Sequence, residues 1–190
     1  MDWSDSLFLW SQIFTILAHI AFVWCLFVKS RTQLLAINSV GNVFMIVGFW
    51  LISAWAGMIA LVVALGRDAT NYTIYRLKRK ENKYKITRWD TASIIIWVSV
   101  LVAVSMPTVD GWISSFAIAA TIIFSIAIWQ KSIVVFRLSS IVVNVMWGVY
   151  MWDINNVSGL YLRGVLLAAT LIGLVVYLRQ LRYTNKHEAI

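Results

Sequence analysis

The sequence predicts an all-α membrane protein with seven transmembrane helices, arranged as two parallel three-helix repeats joined by an inverting fourth helix (3+1+3). The 190-residue chain is 61% hydrophobic and only 13% charged, which is more apolar surface than a soluble domain of this length can bury. Its apolar runs are continuous rather than alternating, so they predict helices whose backbone groups pair within each segment. An internal repeat, described below, supplies the 3+1+3 arrangement.

Seven segments approach the length of about 20 residues that a helix needs to cross a bilayer. The predicted helices cover 7–28, 33–54, 57–75, 91–106, 111–129, 138–153 and 157–178. The residues before the first helix are acidic at Asp2 and Asp5, which predicts a retained helix rather than a cleaved signal peptide. The expected division of the chain is 1–79 for the first repeat, 80–110 for a basic linker and helix four, and 111–190 for the second repeat and tail.

The positive charges predict the orientation. Of the 16 Lys and Arg residues, 14 follow helices one, three, five or seven: Lys29, Arg31, Arg76, Lys78, Arg79, Lys80, Lys83, Lys85, Arg88, Lys131, Arg137, Arg179, Arg182 and Lys186. By the positive-inside rule, the amino terminus is expected outside and the carboxyl terminus in the cytoplasm. The net charge of +8 therefore indicates orientation and attraction to anionic lipid headgroups, and not binding of nucleic acid.

The internal repeat has an offset of 102 residues. Residues 10–79 align with 112–181 without a gap, and 18 of the 70 pairs are identical. The informative matches are of uncommon residue types, such as Lys29/Lys131, Asn42/Asn144, Trp50/Trp152 and Gly57/Gly159. Because three is an odd number, a second copy joined directly would insert upside down, and helix four restores the direction. Parallel repeats of this kind place solute sites at the repeat interface near the bilayer midplane.

Polar and aromatic side chains deep in the helices are the candidate solute-binding residues: Asn42, Asn144, Arg67, Asp68, Asn71, Tyr75, Trp147 and Trp152. Arg67, Asn71 and Tyr75 share a helix face at i, i+4 and i+8. The amides of Asn42 and Asn144 occupy equivalent repeat positions and offer both donors and an acceptor. The alternative is structural: Arg67 and Asp68 form a buried ion pair, and the asparagines hydrogen-bond neighbouring helices. Both interpretations stay open from sequence alone.

Other chemistry-bearing residues give weaker indications. His19 is expected to be a packing residue, since its repeat partner is Thr121, and Cys25 is expected to pack as a small apolar residue. Arg163 either gates the outer mouth or pairs with Asp153. With two histidines and one cysteine there is no metal-ligand cluster, and no phosphate loop or serine-nucleophile motif occurs. The sequence therefore predicts no enzyme, no metal and no cofactor.

Residues in both halves carry a family resemblance: Gln33-Leu34-Leu35, Ser39, Gly57, Arg67, Asn144, Trp152, Gly159 and Tyr177-Leu178-Arg179. With the 3+1+3 helix order, they make residues 7–182 similar to the SWEET superfamily of facilitators. Within that superfamily the chain most resembles bacterial PnuC-type transporters and the related YgjV-type inner-membrane proteins.

The resemblance implies facilitated diffusion of a nucleoside-like solute, such as a deoxynucleoside, nicotinamide riboside or another B-vitamin precursor, across the bacterial inner membrane. The Pro-Gln pair of SWEET sugar carriers is absent from helices one and five, which argues against a sugar. Trp147 and Trp152 are five positions apart, unlike the close tryptophan pair of nicotinamide-riboside carriers, which leaves deoxynucleosides open. The alternatives are a SWEET-like sugar facilitator and a non-transporting YgjV-type protein that binds a partner or lipid through the basic linker. Self-association is left open, and Asp68 and His19 are available for ion coupling.

Overall fold

The computed structural model describes residues 3–25, 28, 31–80, 88–128 and 133–187. These residues form the following α-helices: α1 (Trp3–Cys25), α2 (Arg31–Leu51), α3 (Trp55–Lys80), α4 (Arg88–Ser105), α5 (Ser115–Ala127), α6 (Ile133–Asp153) and α7 (Val157–His187). A short 3₁₀ helix, Met106–Thr108, follows α4. No strand occurs within the described ranges, so the prediction of a helical chain with seven helices is confirmed.

Five of these helices are long and apolar enough to cross a membrane by themselves, namely α1, α2, α4, α6 and α7. The other two differ for separate reasons. Although α3 has 26 residues, it carries Arg67, Asp68 and Asn71 in its middle. Helix α5 has 13 residues, about 20 Å at 1.5 Å per residue, which is shorter than a hydrocarbon core of about 30 Å. The predicted helix 111–129 begins too early, because Gly111 has a φ of +88° and a turn precedes Ser115.

Helices α3 and α7 both continue past their predicted ends at 75 and 178, to Lys80 and His187. The prediction stopped each helix where the apolar residues stop. Lys, Arg, Leu and Gln are nevertheless good helix formers, so the backbone stays helical through the basic run. Lys83 and Lys85 of the predicted linker lie outside the described residues, as do Lys29 and Lys131.

The helices pack into a closed ring of six. In order, α1 packs on α2, α2 on α3, α3 on α5, α5 on α6, α6 on α7 and α7 on α1. Helix α4 lies outside this ring and packs on α3 and α5, with Leu101 buried beside Ala60 and Ile118. A Cβ added to Gly66 would lie 2.5 Å from the Trp97 indole, so the glycine permits the close approach of α4 to α3.

The α2–α3 and α6–α7 turns share one backbone conformation. Ser53 and Asn155, which are 102 positions apart, have φ angles of 55° and 54°. Their N–H groups donate to the carbonyls of Trp50 and Trp152, at 3.1 Å in both turns. A single left-handed residue at this position is a common helix ending. The internal repeat in the sequence is therefore matched by a repeat in the backbone geometry of these two turns.

The outer surface of the bundle, formed by the ring and α4, is apolar. Large side chains such as Ile20, Ile95 and Ile172 are 58%, 61% and 64% exposed. An exposed apolar surface on this scale is unfavourable in water and suits hydrocarbon. The surface agrees with the lipid-facing side expected from the composition.

Candidate functional site

A cavity of about 600 Å³ lies inside the ring of helices. Side chains from α1, α2, α3, α5, α6 and α7 line it, and none comes from α4. Its volume falls within the range of roughly 300–1,000 Å³ that is usual for small-molecule sites. The wall is mostly apolar, and its polar members are Asn38, Asn42, Arg67, Asn71, Tyr75, Thr121, Arg137, Ser140, Asn144, Arg163 and Thr170.

Arg67 and Asp68 form a buried ion pair at the cavity wall. Nε and Nη2 of Arg67 both donate to Oδ1 of Asp68, at 2.9 and 2.7 Å. Adjacent residues on a helix do not face each other, so the long Arg67 side chain folds back to make this contact. Arg67 lines the cavity, whereas Asp68 is fully buried behind it. The positive charge of Arg67 is thereby balanced within α3.

The remaining polar atoms of this pair connect α3 to its two neighbours. Oδ2 of Asp68 accepts hydrogen bonds from Nδ2 of Asn38 at 2.6 Å and from Nδ2 of Asn42 at 3.4 Å. On the other side, Nη1 of Arg67 donates to the Ser125 hydroxyl at 2.6 Å. An arginine at the centre of a bilayer costs about 2.5–3.5 kcal/mol on insertion scales, and these bonds offset that cost. The two alternatives left open by the sequence coexist here, because Arg67 is both part of the wall and part of an ion pair.

Arg163 of α7 is a second buried guanidinium in the wall, with only 9% of its surface exposed. Its Nη1 donates to Oδ1 of Asn144 at 3.2 Å, and its Cζ lies 5.5 and 5.4 Å from the ring centroids of Phe22 and Trp147. Its Nε has no hydrogen-bond partner. The described side chains form one ion pair, which is Arg67–Asp68. Arg163 therefore does not pair with Asp153, which was one of the two alternatives that the sequence left open. Cation–π contacts, worth about 2 kcal/mol when desolvated, compensate the Arg163 charge only in part.

Two further polar side chains line the cavity with unpaired atoms. Asn71 is 1% exposed, and neither its Nδ2 nor its Oδ1 has a hydrogen-bond partner. Nη1 of Arg137 is also buried without an acceptor, and the Arg137 guanidinium lies 5.7 Å from the Tyr177 ring centroid. Buried polar groups in proteins nearly always have partners. Orphaned atoms that border a cavity therefore mark where a bound solute or water can donate and accept.

Three aromatic rings close one end of the cavity, and we call Phe49, Trp147 and Tyr150 the aromatic plug. Phe49 and Trp147 stack with centroids 6.0 Å apart, and Tyr150 packs edge-on against both, at 5.8 and 5.7 Å. The N–H of Gly57 donates to the Tyr150 hydroxyl at 2.9 Å. Because Tyr150 is near the end of α6 and Gly57 near the start of α3, the plug lies at the end of the bundle that carries the α2–α3 and α6–α7 turns. We call this the turn end.

The opposite end of the bundle, where α3 and α7 carry Arg76 and Arg179, is called the basic end. The cavity lies toward it. On α3 and α7, which both run toward the basic end, the lining residues extend to Tyr75 and Gly173, well past the midpoints of the apolar parts of these helices. On α2, which starts at the basic end, the lining begins at Leu34, close to the first residue of the helix. In this structure the solute cavity is therefore closed off from the turn end by buried rings and is displaced toward the basic end.

Six of the eight predicted site residues line the cavity: Asn42, Arg67, Asn71, Tyr75, Asn144 and Trp147. Asp68 supports the wall from behind. Trp152 is 72% exposed and lies outside, so the structure does not place it where a contact with solute was expected. Five residues turn an α-helix by about 140° beyond a full turn, and Trp152 therefore faces away from Trp147. Its indole beside the α6–α7 turn suits the membrane interface.

Five polar wall residues were not predicted from the sequence: Asn38, Thr121, Arg137, Ser140 and Thr170. Two of them have an identifiable reason. Asn38 lies four residues before Asn42 and hence on the same face of α2, which was an available signal. Arg137 was counted as a loop charge because helix six was expected to begin at 138. In the structure α6 begins at Ile133, which places Arg137 inside the helix and in the cavity wall.

His19 and Cys25 have different surroundings. His19 is 1% exposed, its Nδ1 lies 2.8 Å from the Thr15 carbonyl, and its ring packs edge-on against Phe22 at 5.7 Å. This environment agrees with the expected packing role. Cys25, which was also expected to pack, instead lines the cavity. Within the described part of the chain, no three His, Cys, Asp or Glu side chains come together, so no residues there are assigned to a metal.

The family comparison covers almost the whole helical bundle. A model of the Imp-YgjV family, described as bacterial inner membrane protein, matches residues 9–180, a range that includes every residue of the cavity wall. No curated protein and no solved structure matches the chain. The resemblance to YgjV-type proteins and the location in the bacterial inner membrane are confirmed, while the resemblance to PnuC-type and SWEET proteins stays a prediction. The chain belongs to the Imp-YgjV family of bacterial inner membrane proteins.

Proposed function

We propose that this protein is a facilitator that binds a small nucleoside-like solute in the cavity and lets it diffuse, chemically unchanged, across the inner membrane. Deoxynucleosides and B-vitamin precursors such as nicotinamide riboside are the solute classes proposed from the family resemblance. The amino terminus is proposed to lie outside and the basic end in the cytoplasm, as the positive-inside rule predicts. The cavity would then face the cytoplasm in this conformation.

The observation that carries the proposal is the pairing of the cavity wall across the internal repeat. Of the 26 lining residues, 18 form nine pairs at the offset of 102: Phe22/Phe124, Leu34/Phe136, Leu35/Arg137, Asn38/Ser140, Asn42/Asn144, Leu61/Arg163, Ala64/Leu166, Arg67/Ala169 and Asn71/Gly173. Equivalent surfaces of two copies therefore face the same space. A duplicated unit built around a shared cavity is the expected arrangement for a transporter with parallel repeats.

The helix contacts support the same arrangement. Under the offset of 102 residues, the α1–α2 and α2–α3 contacts correspond to the α5–α6 and α6–α7 contacts, and the α3–α5 junction corresponds to α7–α1. Helix α4 has no counterpart and lies outside the ring. This is the position proposed for the inverting helix of a 3+1+3 architecture.

The wall offers the groups that a nucleoside-like solute requires. Asn71 has a free donor and a free acceptor at 1% exposure, and amides of this kind pair with hydroxyls and base edges. Asn144 and Asn42 are proposed to add further hydrogen bonds, with Trp147 or Tyr75 stacking on a planar ring. Passage to the other side of the membrane would then require the aromatic plug to open, because Trp147 belongs to both the wall and the plug.

Uptake into proteoliposomes tests the proposal. Purified protein should give saturable uptake of at least one labelled solute from a panel of nucleosides, B-vitamin precursors and sugars, where sugars represent the SWEET-like alternative. Ala169→Phe, which fills the cavity opposite Arg67, should abolish uptake. Ile172→Phe is the matched control, because Ile172 lies on the same helix and is 64% exposed toward lipid. Absence of uptake across the panel, or equal uptake by both variants, would contradict a transport function.

The second candidate function is a non-transporting protein that binds a partner or anionic lipid through its basic segment. The observation in its favour is that α3 continues helically to Lys80, which extends a run of cationic residues beyond the apolar part of the bundle. Replacing Lys78, Arg79 and Lys80 with Gln should abolish activity under this candidate and spare solute uptake under the first. Vesicle co-sedimentation with and without anionic lipid measures the lipid arm directly.

A further inference from the structure

The charges in the cavity wall do not balance. Three arginines, Arg67, Arg137 and Arg163, are among the lining residues, and no Asp or Glu of the described part of the chain lines the cavity. Arg67 is neutralised by Asp68, which lies directly behind it. Neither Arg137 nor Arg163 forms an ion pair with a described carboxylate. Counted over the described side chains, the cavity wall therefore carries an excess of two positive charges.

Arg163 is the better buried of the two uncompensated cations. It is more than nine-tenths buried, and its Cζ lies 5.5 and 5.4 Å from the ring centroids of Phe22 and Trp147, two residues of the cavity wall. Nη1 of Arg163 donates a hydrogen bond to Oδ1 of Asn144, and the Nε–H of Arg163 has no acceptor. A guanidinium presents five donors in a fork that matches carboxylate and phosphate oxygens. Arg163 therefore lies in the cavity wall with an N–H donor that has no acceptor, as an anion-binding arginine requires.

The excess charge comes from one repeat only. The first-repeat equivalents of Arg137 and Arg163 are Leu35 and Leu61, and both of those leucines also line the cavity. The first repeat places its own cation, Arg67, next to an acid. The two halves therefore present differently charged surfaces to the same space, and a solute would bind with its negative end toward α6 and α7.

The size and composition of the cavity favour an occupant larger than a small inorganic ion. Its volume of about 600 Å³ far exceeds the roughly 30 Å³ share of a single water molecule. Five aromatic residues from four helices contribute to the wall: Phe22, Tyr75, Phe124, Phe136 and Trp147. Such a wall favours a ring or another apolar body attached to the charged group.

We infer that the solute is an organic anion, a carboxylate or phosphate ester on an apolar or ring-bearing body, whose negative group binds Arg163, with Arg137 as a second cation in the same cavity. This inference rests on the proposed function for the solute's passage through the membrane. Among nucleoside-like compounds it selects those with a negative charge, such as nucleotides, in place of the uncharged deoxynucleosides and the cationic nicotinamide riboside that the family resemblance suggests. Binding itself does not depend on transport, and the two are tested separately.

Two pairs, each of an anionic probe and an uncharged counterpart, test the inference on the purified full-length protein in nanodiscs. Benzoate is compared with benzamide, and uridine monophosphate with uridine, by thermal shift and by calorimetric titration. Inorganic phosphate and chloride form a third arm. A ligand that binds only the folded protein raises its melting temperature. The charged member of at least one pair should bind, with its neutral counterpart weaker by roughly 10- to 100-fold, and the two pairs separate a preference for carboxylate from one for phosphate.

Substitutions then identify the arginine. Arg163→Gln should weaken binding of the charged probe by roughly 10- to 100-fold and leave the neutral probe unchanged, and Arg163→Lys should restore part of the loss. Arg76→Gln is the matched control, since it removes the same charge from an exposed position on α3. Arg137→Gln provides a second variant, expected to weaken the charged probe as well, should Arg163→Gln fail to fold.

The outcomes separate the inference from the proposed function. The inference would be overturned if only neutral probes bind, or if no organic anion binds. It would equally be overturned if inorganic anions bind as tightly as organic ones, or if neither arginine variant weakens the charge-selective binding. Charge-selective binding lost in Arg163→Gln, together with no uptake into proteoliposomes, would support the anion site and contradict only the transport function.

Discussion

The hydroxyl of Tyr150 accepts a hydrogen bond from the backbone N–H of Gly57 at 2.9 Å, across 93 positions of sequence. Gly57 is in the first turn of α3, where N–H groups have no partner within the helix. Tyr150 is in the last turn of α6 and belongs to the aromatic plug. One side chain thus satisfies a helix end, joins the two halves of the bundle and closes the cavity at the turn end.

We expect Tyr150→Phe to weaken this closure. The substitution keeps the ring contacts with Phe49 and Trp147 but leaves a buried N–H at Gly57 unpaired, which costs about 1–3 kcal/mol. Thermal unfolding should therefore begin at a lower temperature, and solute exchange through the turn end should become faster. The control is Tyr161→Phe, because Tyr161 is 74% exposed. Equal melting temperatures for the two variants would show that the hydroxyl does not contribute to closure.

Gly57→Ala is expected to disrupt the plug directly. An added Cβ would lie 2.6 Å from Cε1 of Tyr150 and 2.8 Å from Cε2 of Phe49, so the rings must shift, at a cost of about 1–3 kcal/mol. Gly148→Ala is the matched control on α6, where nothing lies within 4 Å of the added Cβ. Unfolding midpoints in a mild detergent provide the measurement. A Gly57→Ala variant as stable as Gly148→Ala would refute the close packing at this point.

Removal of one charge from the Arg67–Asp68 pair should be more damaging than removal of both. Asp68→Thr leaves a buried cation and Arg67→Ala a buried anion, and breaking such a pair typically costs about 3–5 kcal/mol. The double variant Arg67→Ala with Asp68→Thr installs the residues found at the equivalent positions Ala169 and Thr170. We expect its free energy of unfolding to lie closer to the wild type than either single variant. Simple additivity in this double-mutant cycle would mean that the two charges do not interact.

Cys25 allows access to the cavity to be measured without engineering, because it is the single cysteine of the chain and lines the wall. A membrane-impermeant maleimide should label it from the cytoplasmic side in inside-out vesicles and not from the outside in right-side-out vesicles. Filling the cavity with Ala169→Phe should slow the labelling, and Ile172→Phe should not. Labelling from the outside alone would overturn the proposed orientation or the closure of the turn end.

Much of the bundle follows from local sequence properties. Continuous apolar runs specify helices in hydrocarbon because each helix satisfies its own backbone, and that rule needs no knowledge of neighbours. The ends of α3 and α7 were placed too early because hydropathy reports where lipid contact ends and not where helical hydrogen bonding ends. The start of α6 was placed too late for a different reason: Arg137 was taken for a loop charge, although the four residues before it, Ile133 to Phe136, are apolar and helical. Arg137 was consequently missed as a wall residue.

Residues of the cavity wall could be predicted where a polar residue lies deep inside an apolar helix and has an identical residue at the equivalent position of the other repeat. Asn42 and Asn144 are matched polar residues inside apolar helices, and both line the cavity. Trp152 also has a repeat partner, Trp50, but both tryptophans flank equivalent turns and face outward, at 72% and 60% exposure. A repeat match therefore indicates an equivalent position without indicating whether that position faces the solute or the lipid.

By itself, the sequence determined that the chain is a helical membrane protein with an internal repeat and with polar residues at membrane depth, because composition, periodicity and self-similarity are properties of the chain alone. Only the tertiary structure decided which charges are balanced. Arg67 finds its partner in the next residue by folding its side chain back, whereas Arg163 is placed against Asn144, Phe22 and Trp147 and pairs with none of the described acidic residues. Charge compensation depends on distances between side chains of different helices, and helix packing sets those distances.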